Sequence, residues 1–442
     1  MQKQRLLSLD VLRGITIAGM IMVNNPGSWG SIYAPLRHAE WDGLTPTDLV
    51  FPFFMFIMGV SMYISYSKFD FQFNRNTFLK LLKRSVLLFL IGLLLNWFGL
   101  TCRHMSSLAQ TTDYLWLQRL YESAFYYLKE LRILGVLQRL AIVNFCGSLI
   151  LLTIKKKYIP YIIFGILLGY SIIMLFTGSL TLSTENIIAY IDSVILGESH
   201  MYHINGIAFD PEGLFSTLPC IAHVLIGVMA GSYILITEDN KERMEQLFIF
   251  GTLIMVLGFL WHYVTPINKT LWSSSYTLVT CGLASLLLSI LLWIIDVQGY
   301  TKPTRFFEAF GVNPMAIFVM GGILSNLVSN IGITLANGTW ISLKGLIYNY
   351  INVPIFGEKL GSLIFALCFI LICYLIALPL YKKKIYNVKK EKFLKELVIE
   401  NNVPKLINYQ IEHKYSLSDE GKGIKGYLNA RTKDSEHEIL VI

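Results

Sequence analysis

The sequence predicts an all-α fold: a polytopic integral membrane helix bundle of about ten transmembrane helices with both termini in the cytoplasm. Three observations carry this expectation. Hydrophobic residues make up 54% of the 442-residue chain and charged residues only 15%, whereas a soluble domain carries about 25% charged residues. The apolar residues fall in long runs, of the length that crosses a hydrocarbon core. Lys and Arg are spread unevenly over the segments between those runs, and such a bias sets orientation. A mean hydropathy of +0.54 excludes disorder, collagen and coiled coil. A net charge of +8 on a soluble protein would suggest nucleic acid. Here the position of the charges matters more than their sign.

The apolar runs are, in order, 9–24, 47–66, 85–100, 133–154, 159–177, 214–236, 247–264, 273–295, 309–329 and 361–381. The first is, with the third, the shortest, and it carries Arg13. It follows a basic start but leads into Asn24-Asn25-Pro26 with no small-residue cleavage site, so a cleaved signal peptide is not expected. The second is announced by Thr45-Pro46-Thr47, a helix-start signal with Asp48 in the first turn. The last is stopped by Lys382-Lys383-Lys384. An even number of spans puts both termini on one side. The connecting segments on that side hold 19 Lys and Arg in 64 residues, and those on the other side hold 8 in 129. The roughly fivefold difference in density places the termini in the cytoplasm and the long loops outside. Residues 1–386 read as the membrane domain. Residues 387–442 read as a cytoplasmic tail, partly helical over 389–398 and loose after Ser416. The six cysteines show neither a disulfide framework nor metal-ligand spacing.

Polar and ionisable groups inside a bilayer are expensive and so are functional candidates. Arg13 lies in the first run, Arg139 and Asn144 in the fourth, His223 and His262 in the sixth and seventh. Each has a plain alternative, since an Arg near a helix end can snorkel and a buried His can simply be packed. The most informative stretch runs from Asn24 to Gly59 across the first outward loop. It contains His38, Glu40, Trp41, Asp42 and Asp48. Asp48 suits a helix N-terminus, where a carboxylate meets the positive dipole end. The loop can also fold His38 back onto it. A carboxylate on one imidazole nitrogen leaves the other as a base.

At this stretch the chain resembles a known family. SLDVLRGITIAGMIMVNNPGSW followed by RHAEWDGLTPTDLVFPFFMFIMG is similar to the heparan-α-glucosaminide N-acetyltransferase family. The likeness continues through Arg132 to Leu140, through Asp210-Pro211-Glu212-Gly213, through Lys269 to Tyr276, and through Gly311-Val312-Asn313-Pro314. It spans about residues 5–386. The large soluble extracytoplasmic domain of the animal enzymes has no counterpart, which implies a bacterial relative in an inner membrane.

The resemblance implies transfer of acetyl from cytoplasmic acetyl-CoA to the amine of a terminal glucosamine across the membrane. It implies His38, Asp48 and Asn24 as catalytic residues. His38 would serve as base or acetyl carrier, Asp48 would orient it, and the Asn24 amide would meet the oxyanion. Arg13, Arg139 and Asn313 are expected to contact acetyl-CoA. Arg132 is weighed for the same role, but it falls at the outer end of its run. Trp41, Asp210, Glu212 and Trp272 are expected at the sugar. The Asp210–Gly213 segment could equally be an ordinary turn. No metal is implied. The expected partners are the amino sugar, acetyl-CoA and the lipid bilayer, with a homodimer left open and no nucleic acid. Two other functions fit the same residues: a transporter of amino sugars or oligosaccharides, and an O-acyltransferase acting on glycan hydroxyls. Paired interrupted helices, the usual sign of a secondary transporter, are not seen in the sequence.

Overall fold

A computed structural model describes residues 6–382, apart from 113, 127, 238, 303 and 337, and three later strands. The chain divides into two compact units, Met1–Lys382 and Lys383–Ile442. The first is helical. In order it contains α1 (Leu7–Asn24), α2 (Pro46–Tyr66), α3 (Arg75–Thr111), α4 (Trp116–Tyr126), α5 (Val136–Thr153), α6 (Ile159–Phe176) and α7 (Ile187–Leu196). The hairpin β1 (His203–Ile204) and β2 (Ile207–Ala208) follows, then α8 (Thr217–Ile236), α9 (Asn240–Trp261) and α10 (Ser274–Leu291), which runs on as a π turn to Val297. Next come α11 (Thr304–Val312), α12 (Pro314–Asn330) and the hairpin β3 (Gly332–Thr334) with β4 (Trp340–Ser342). Short α13 (Leu343–Ile347) and α14 (Val353–Phe356) lead to α15 (Glu358–Lys382). Among the described residues nine helices are long and apolar enough to cross a membrane, and the bent pair α11–α12 makes a tenth if counted as one span.

The expected spans are therefore present, with three differences. The run expected over 309–329 is broken: α11 and α12 meet at 87°. Pro314 opens α12, and the residue before a proline is pushed out of the helical region. Asn313 accordingly has φ −126° and ψ 53°. The third helix has 37 residues, about 55 Å at 1.5 Å per residue, so it outruns the hydrocarbon core. His262, expected inside the seventh span, lies just past the end of α9, where its Nδ1 accepts from the Ile267 amide at 3.0 Å.

Two close helix crossings hold the site in place. In the first, α2 meets α8 at Gly59 and Gly227, and a Cβ on either would strike the other helix's carbonyls, those of Val224 and Phe56. In the second, α11 lies against α1, where Gly14 faces the Phe307 carbonyl and Gly311 faces that of Asp10. Around the first crossing Phe56, Met55, Val224 and Tyr276 are fully buried and form the main core. The second unit carries an antiparallel sheet of β5 (Gln410–Leu417), β6 (Ile424–Arg431) and β7 (Glu436–Leu440), in that order. A loose chain after Ser416 is thus replaced by strands, whereas the helix expected over 389–398 lies outside the described residues.

Candidate active site

The N-terminus of α2 builds the first part of the site. Thr45 caps the helix, and Asp48, three residues on, reaches back to it. Asp48 Oδ2 accepts from the Thr45 amide at 3.1 Å, the Thr45 hydroxyl at 2.9 Å and the Ala39 amide at 3.1 Å. Its other oxygen, Oδ1, lies 2.6 Å from His38 Nδ1. Capping and histidine orientation, which the sequence posed as alternatives, are thus divided between two oxygens of one carboxylate. An ionised carboxylate only accepts, so the shorter 2.6 Å contact favours the proton on Nδ1, with the lone pair left on Nε2, over the tautomer in which Nδ1 accepts from Lys269 at 3.0 Å. Asp48 is 1% exposed, whereas the His38 side chain is 44% exposed. The ring therefore stands between a dry carboxylate and the surface.

A proline completes this support. Pro52 has no amide to offer the carbonyl four residues back, which is that of Asp48. The Tyr276 hydroxyl donates to that carbonyl instead, at 2.6 Å. The Lys269 ammonium reaches the same corner, 3.3 Å from Asp48 Oδ1 and 3.0 Å from His38 Nδ1. Burial pulls Lys269 below its usual pKa, against the carboxylates of Asp48 and Glu212, which pull it back up. Lys269 is 231 residues from His38 in the chain. It entered the sequence reading only as part of a motif. No local pattern could have assigned it a place beside the histidine. Asn268, its neighbour, donates to Asp42 at 3.0 Å and ties the two loops together.

A second ionic cluster lies on the turn before α8. Arg132 grips Asp210 with two hydrogen bonds, Nε to Oδ2 at 2.9 Å and Nη2 to Oδ1 at 2.6 Å, and reaches Glu212 at 2.5 Å. Its guanidinium lies 5.2 Å from the centre of the Tyr202 ring. Burial works against the charge on Arg132, but the two acids outweigh it and raise its pKa. Burial would likewise raise Glu212, and Arg132 and Arg139 hold it below the usual range. Asp210 is fully buried and also accepts from the amides of Tyr202 and Glu212. Its lone pairs are spent inside the protein, so a direct contact with sugar is not open to it here. Glu212 remains partly exposed, at 16%. Asp192, on α7, was not singled out in the sequence. Its Oδ1 accepts from the amides of Leu214 and Phe215, and burial pushes its carboxyl up to about 6.

The two clusters lie at the N-terminal ends of α2, α5 and α8, which form the mouth of the bundle, and one to two turns further along α5 and α8 lies a group of aromatic and polar side chains. Arg139 is fully buried; Nη2 donates to the Gly213 carbonyl at 3.0 Å and to the Ser216 hydroxyl. Its guanidinium lies 5.3 Å from the centre of the Trp272 ring. Trp272 is 1% exposed and stacks edge-on with Phe51, His223 and Tyr276. His223 Nε2 meets the Pro52 carbonyl at 2.9 Å. Among the described residues, Arg139 Nε and Nη1, Trp272 Nε1 and His223 Nδ1 have no hydrogen-bond partner.

The remaining expected residues are spread out. Asn24 ends α1, exposed, on the same end of the bundle as the His38 loop, with no hydrogen bond to His38 or Asp48 among the described residues. Trp41 donates to the Leu180 carbonyl at 2.9 Å and packs edge-on against Phe209. Arg13 lies in the first turns of α1, where it reaches Asp10 at 3.1 Å, the Gly311 carbonyl at 3.3 Å and Ser61 at 2.7 Å. Asn313 stands at the α11–α12 break with its amide nitrogen buried and unpartnered among the described residues. Arg13 and the break thus meet through Gly311, at the N-terminal end of α1 and away from His38.

Residues 5–109, which include α1, the His38 loop and α2, match the family model described as heparan-alpha-glucosaminide N-acetyltransferase, catalytic. The chain is 29% identical to the human heparan-alpha-glucosaminide N-acetyltransferase, over 73% of this chain and 53% of that protein. It is 28% identical to the mouse protein of the same name, over 73% of this chain and 54% of that one. The resemblance read from the motifs is therefore borne out, and the chain spans about half the length of the curated relatives it matches.

Proposed function

We propose that this chain is a transmembrane N-acetyltransferase, moving acetyl from cytoplasmic acetyl-CoA to the amine of a glucosamine-type sugar on the other side of the membrane. The observation that carries the reading is the Asp48–His38 pair, with Nδ1 tied to the carboxylate at 2.6 Å and the histidine side chain 44% exposed. An amine attacks a thioester only when unprotonated. His38 Nε2 removes the ammonium proton and passes it to solvent, the nitrogen attacks the acetyl carbonyl, and the nitrogen loses its second proton to His38 as the carbon–sulfur bond breaks and CoA thiolate leaves. Asp48 holds the imidazole in the tautomer that leaves Nε2 free and keeps its hydrogen bond to the imidazolium that forms. A covalent acetyl-His38 would use the same nitrogen, because Nδ1 is occupied. Asn24 ends α1 with no side-chain hydrogen bond among the described residues, which suits the developing oxyanion. Glu212 and Trp41 suit the ammonium and the apolar face of the sugar. Arg139, Asn313 and, in place of the sugar contact expected for it, Trp272 suit the donor, since each keeps a buried N–H without a partner among the described residues.

The Lys and Arg asymmetry supports His38 on the outer side and Arg13 on the cytoplasmic side. A transporter is favoured by one observation, the broken α11–α12 span, because broken helices form substrate sites in transporters. Purified protein incubated with acetyl-CoA and a panel of amino sugars separates the two readings. Release of CoA with acetylated sugar supports the enzyme. Uptake of unmodified sugar into vesicles with no CoA release supports the transporter. In the active enzyme His38→Ala is expected to insert normally and lose about 10²–10⁴-fold in transfer. Near-normal transfer would remove His38 from the mechanism. Label retained on His38 from acetyl-CoA without acceptor would favour the covalent route.

A further inference from the structure

We infer that Lys269 is a positioning residue for His38: its ammonium supplies the counter-charge of Asp48, so that the imidazole stays neutral and able to take a proton. The inference rests on reading His38 as the base.

Asp48 is 1% exposed, and an ionised carboxylate in so dry a place needs a cation. Among the described residues two groups come within ion-pair distance of it, His38 at 2.6 Å and Lys269 at 3.3 Å. With Lys269 charged, Asp48 is balanced while His38 is neutral, and the three groups sum to zero. Without Lys269, the carboxylate is balanced only by a protonated His38, and a protonated imidazole is not a base. Once His38 has taken the substrate proton, the corner carries one excess positive charge, and repulsion from Lys269 favours release of that proton before the next turnover.

The lysine is held, not trailing. Asn268 Oδ1 accepts from the Leu271 amide at 2.8 Å and Ser273 Oγ from the Asn268 amide at 3.1 Å. The Trp272 amide donates to the Lys269 carbonyl at 3.0 Å. The groups facing the corner are few. α2 supplies Asp48, the first loop supplies His38, and Asp42 of that loop is engaged by Asn268. The turn before α8 supplies Glu212, which acts on Lys269 through space and is itself gripped by Arg132. Tyr276 of α10 binds the backbone carbonyl of Asp48 and leaves the carboxylate alone.

The test compares the wild type, Lys269→Met, Lys269→Gln and Lys269→Arg, using acetyl-CoA and glucosamine over a range of pH. The acidic limb of kcat/KM is expected to move up by about one pH unit in Lys269→Met and Lys269→Gln, since one neighbouring charge shifts titrations by about that much. Activity then recovers on the alkaline side, and Lys269→Arg keeps the wild-type limb. A uniform loss at every pH, with the limb in place, would overturn the inference and leave Lys269 a packing residue. A second readout needs no turnover. Diethylpyrocarbonate modifies neutral imidazole, so its rate at His38, followed by peptide mass spectrometry against pH, must move the same way in the variants. An inactive wild type with a shifted modification profile would count against the base reading and for the lysine's effect. An unshifted profile would count against the lysine.

Discussion

The mouth of the bundle and the layer beneath it are both rich in polar groups, but they spend their hydrogen bonds differently. At the mouth, Asp48 accepts from four groups and Asp210 from three. One layer down, Arg139 is fully buried and yet leaves Nε and Nη1 without partners among the described residues, as Trp272 leaves Nε1. Saturated networks fix geometry, because every member is held by several others. Unspent buried donors have a desolvation cost that only a further partner can offset. The difference therefore separates a region built to hold charges still from one that has binding capacity left over. The turn 210–216 joins the two: Asp210 belongs to the mouth, while Gly213 and Ser216 receive Arg139.

The comparison is broken most severely at Arg132. Replacing it by Met leaves Asp210 buried without its cation, and removing one partner of a buried pair costs about 3–5 kcal/mol. Thermal unfolding in detergent is expected to show that loss, with acetyl transfer falling as the turn moves. Arg132→Lys keeps the charge but not the two-pronged grip, so it should fall between Met and wild type. A wild-type unfolding midpoint in the Met variant would show that the cluster does not hold the mouth.

Asp192 tests the junction. Its carboxyl is pushed up to about 6 from a model-peptide value of 3.8, chiefly by burial. A raised folded-state value means that the native protein holds this proton more tightly than the unfolded chain. The group's contribution is fully present below about pH 4 and is lost as pH rises through about 6. At 1.36 kcal/mol per unit, the loss is about 3 kcal/mol at most. Asp192→Asn cannot titrate, so the difference in unfolding midpoint between variant and wild type should shift in the variant's favour from pH 4 to 7. A difference that stays constant over that range would mean that folding does not raise the Asp192 pKa.

How far the sequence reveals this division depends on the range of each contact. The spans are written in long apolar runs, and the His38–Asp48 pair is written in ten residues of one loop. Those were legible. The Arg132 grip closes over 78 residues to Asp210 and the Lys269 contact over 231, so no periodicity or local spacing announces them. Asp210 shows the consequence: as an acid in an outward turn it reads as a sugar ligand, and only the fold reveals that Arg132 has claimed it. The break at Asn313 had a local signal in Pro314, but the apolar run around it masks one residue's backbone preference.

The smallest expected effect concerns the unspent donors. Trp272 is packed between Phe51, His223 and Tyr276, and its Nε1 has no hydrogen-bond partner among the described residues. Trp272→Phe keeps an aromatic ring in that stack and removes an N–H that the protein itself does not use. The loss of ring area should cost stability modestly, about 1 kcal/mol, as a conservative core substitution does. If the layer receives the amide carbonyls of the acetyl donor, the variant loses one hydrogen bond to it, worth about 0.5–1.5 kcal/mol. That corresponds to a two- to tenfold rise in KM for acetyl-CoA, with the KM for the sugar unchanged, because the sugar belongs to the saturated layer above. Steady-state kinetics with each substrate varied in turn makes the distinction. A rise in the sugar KM instead would place the acceptor in the lower layer and reverse the division between the two regions.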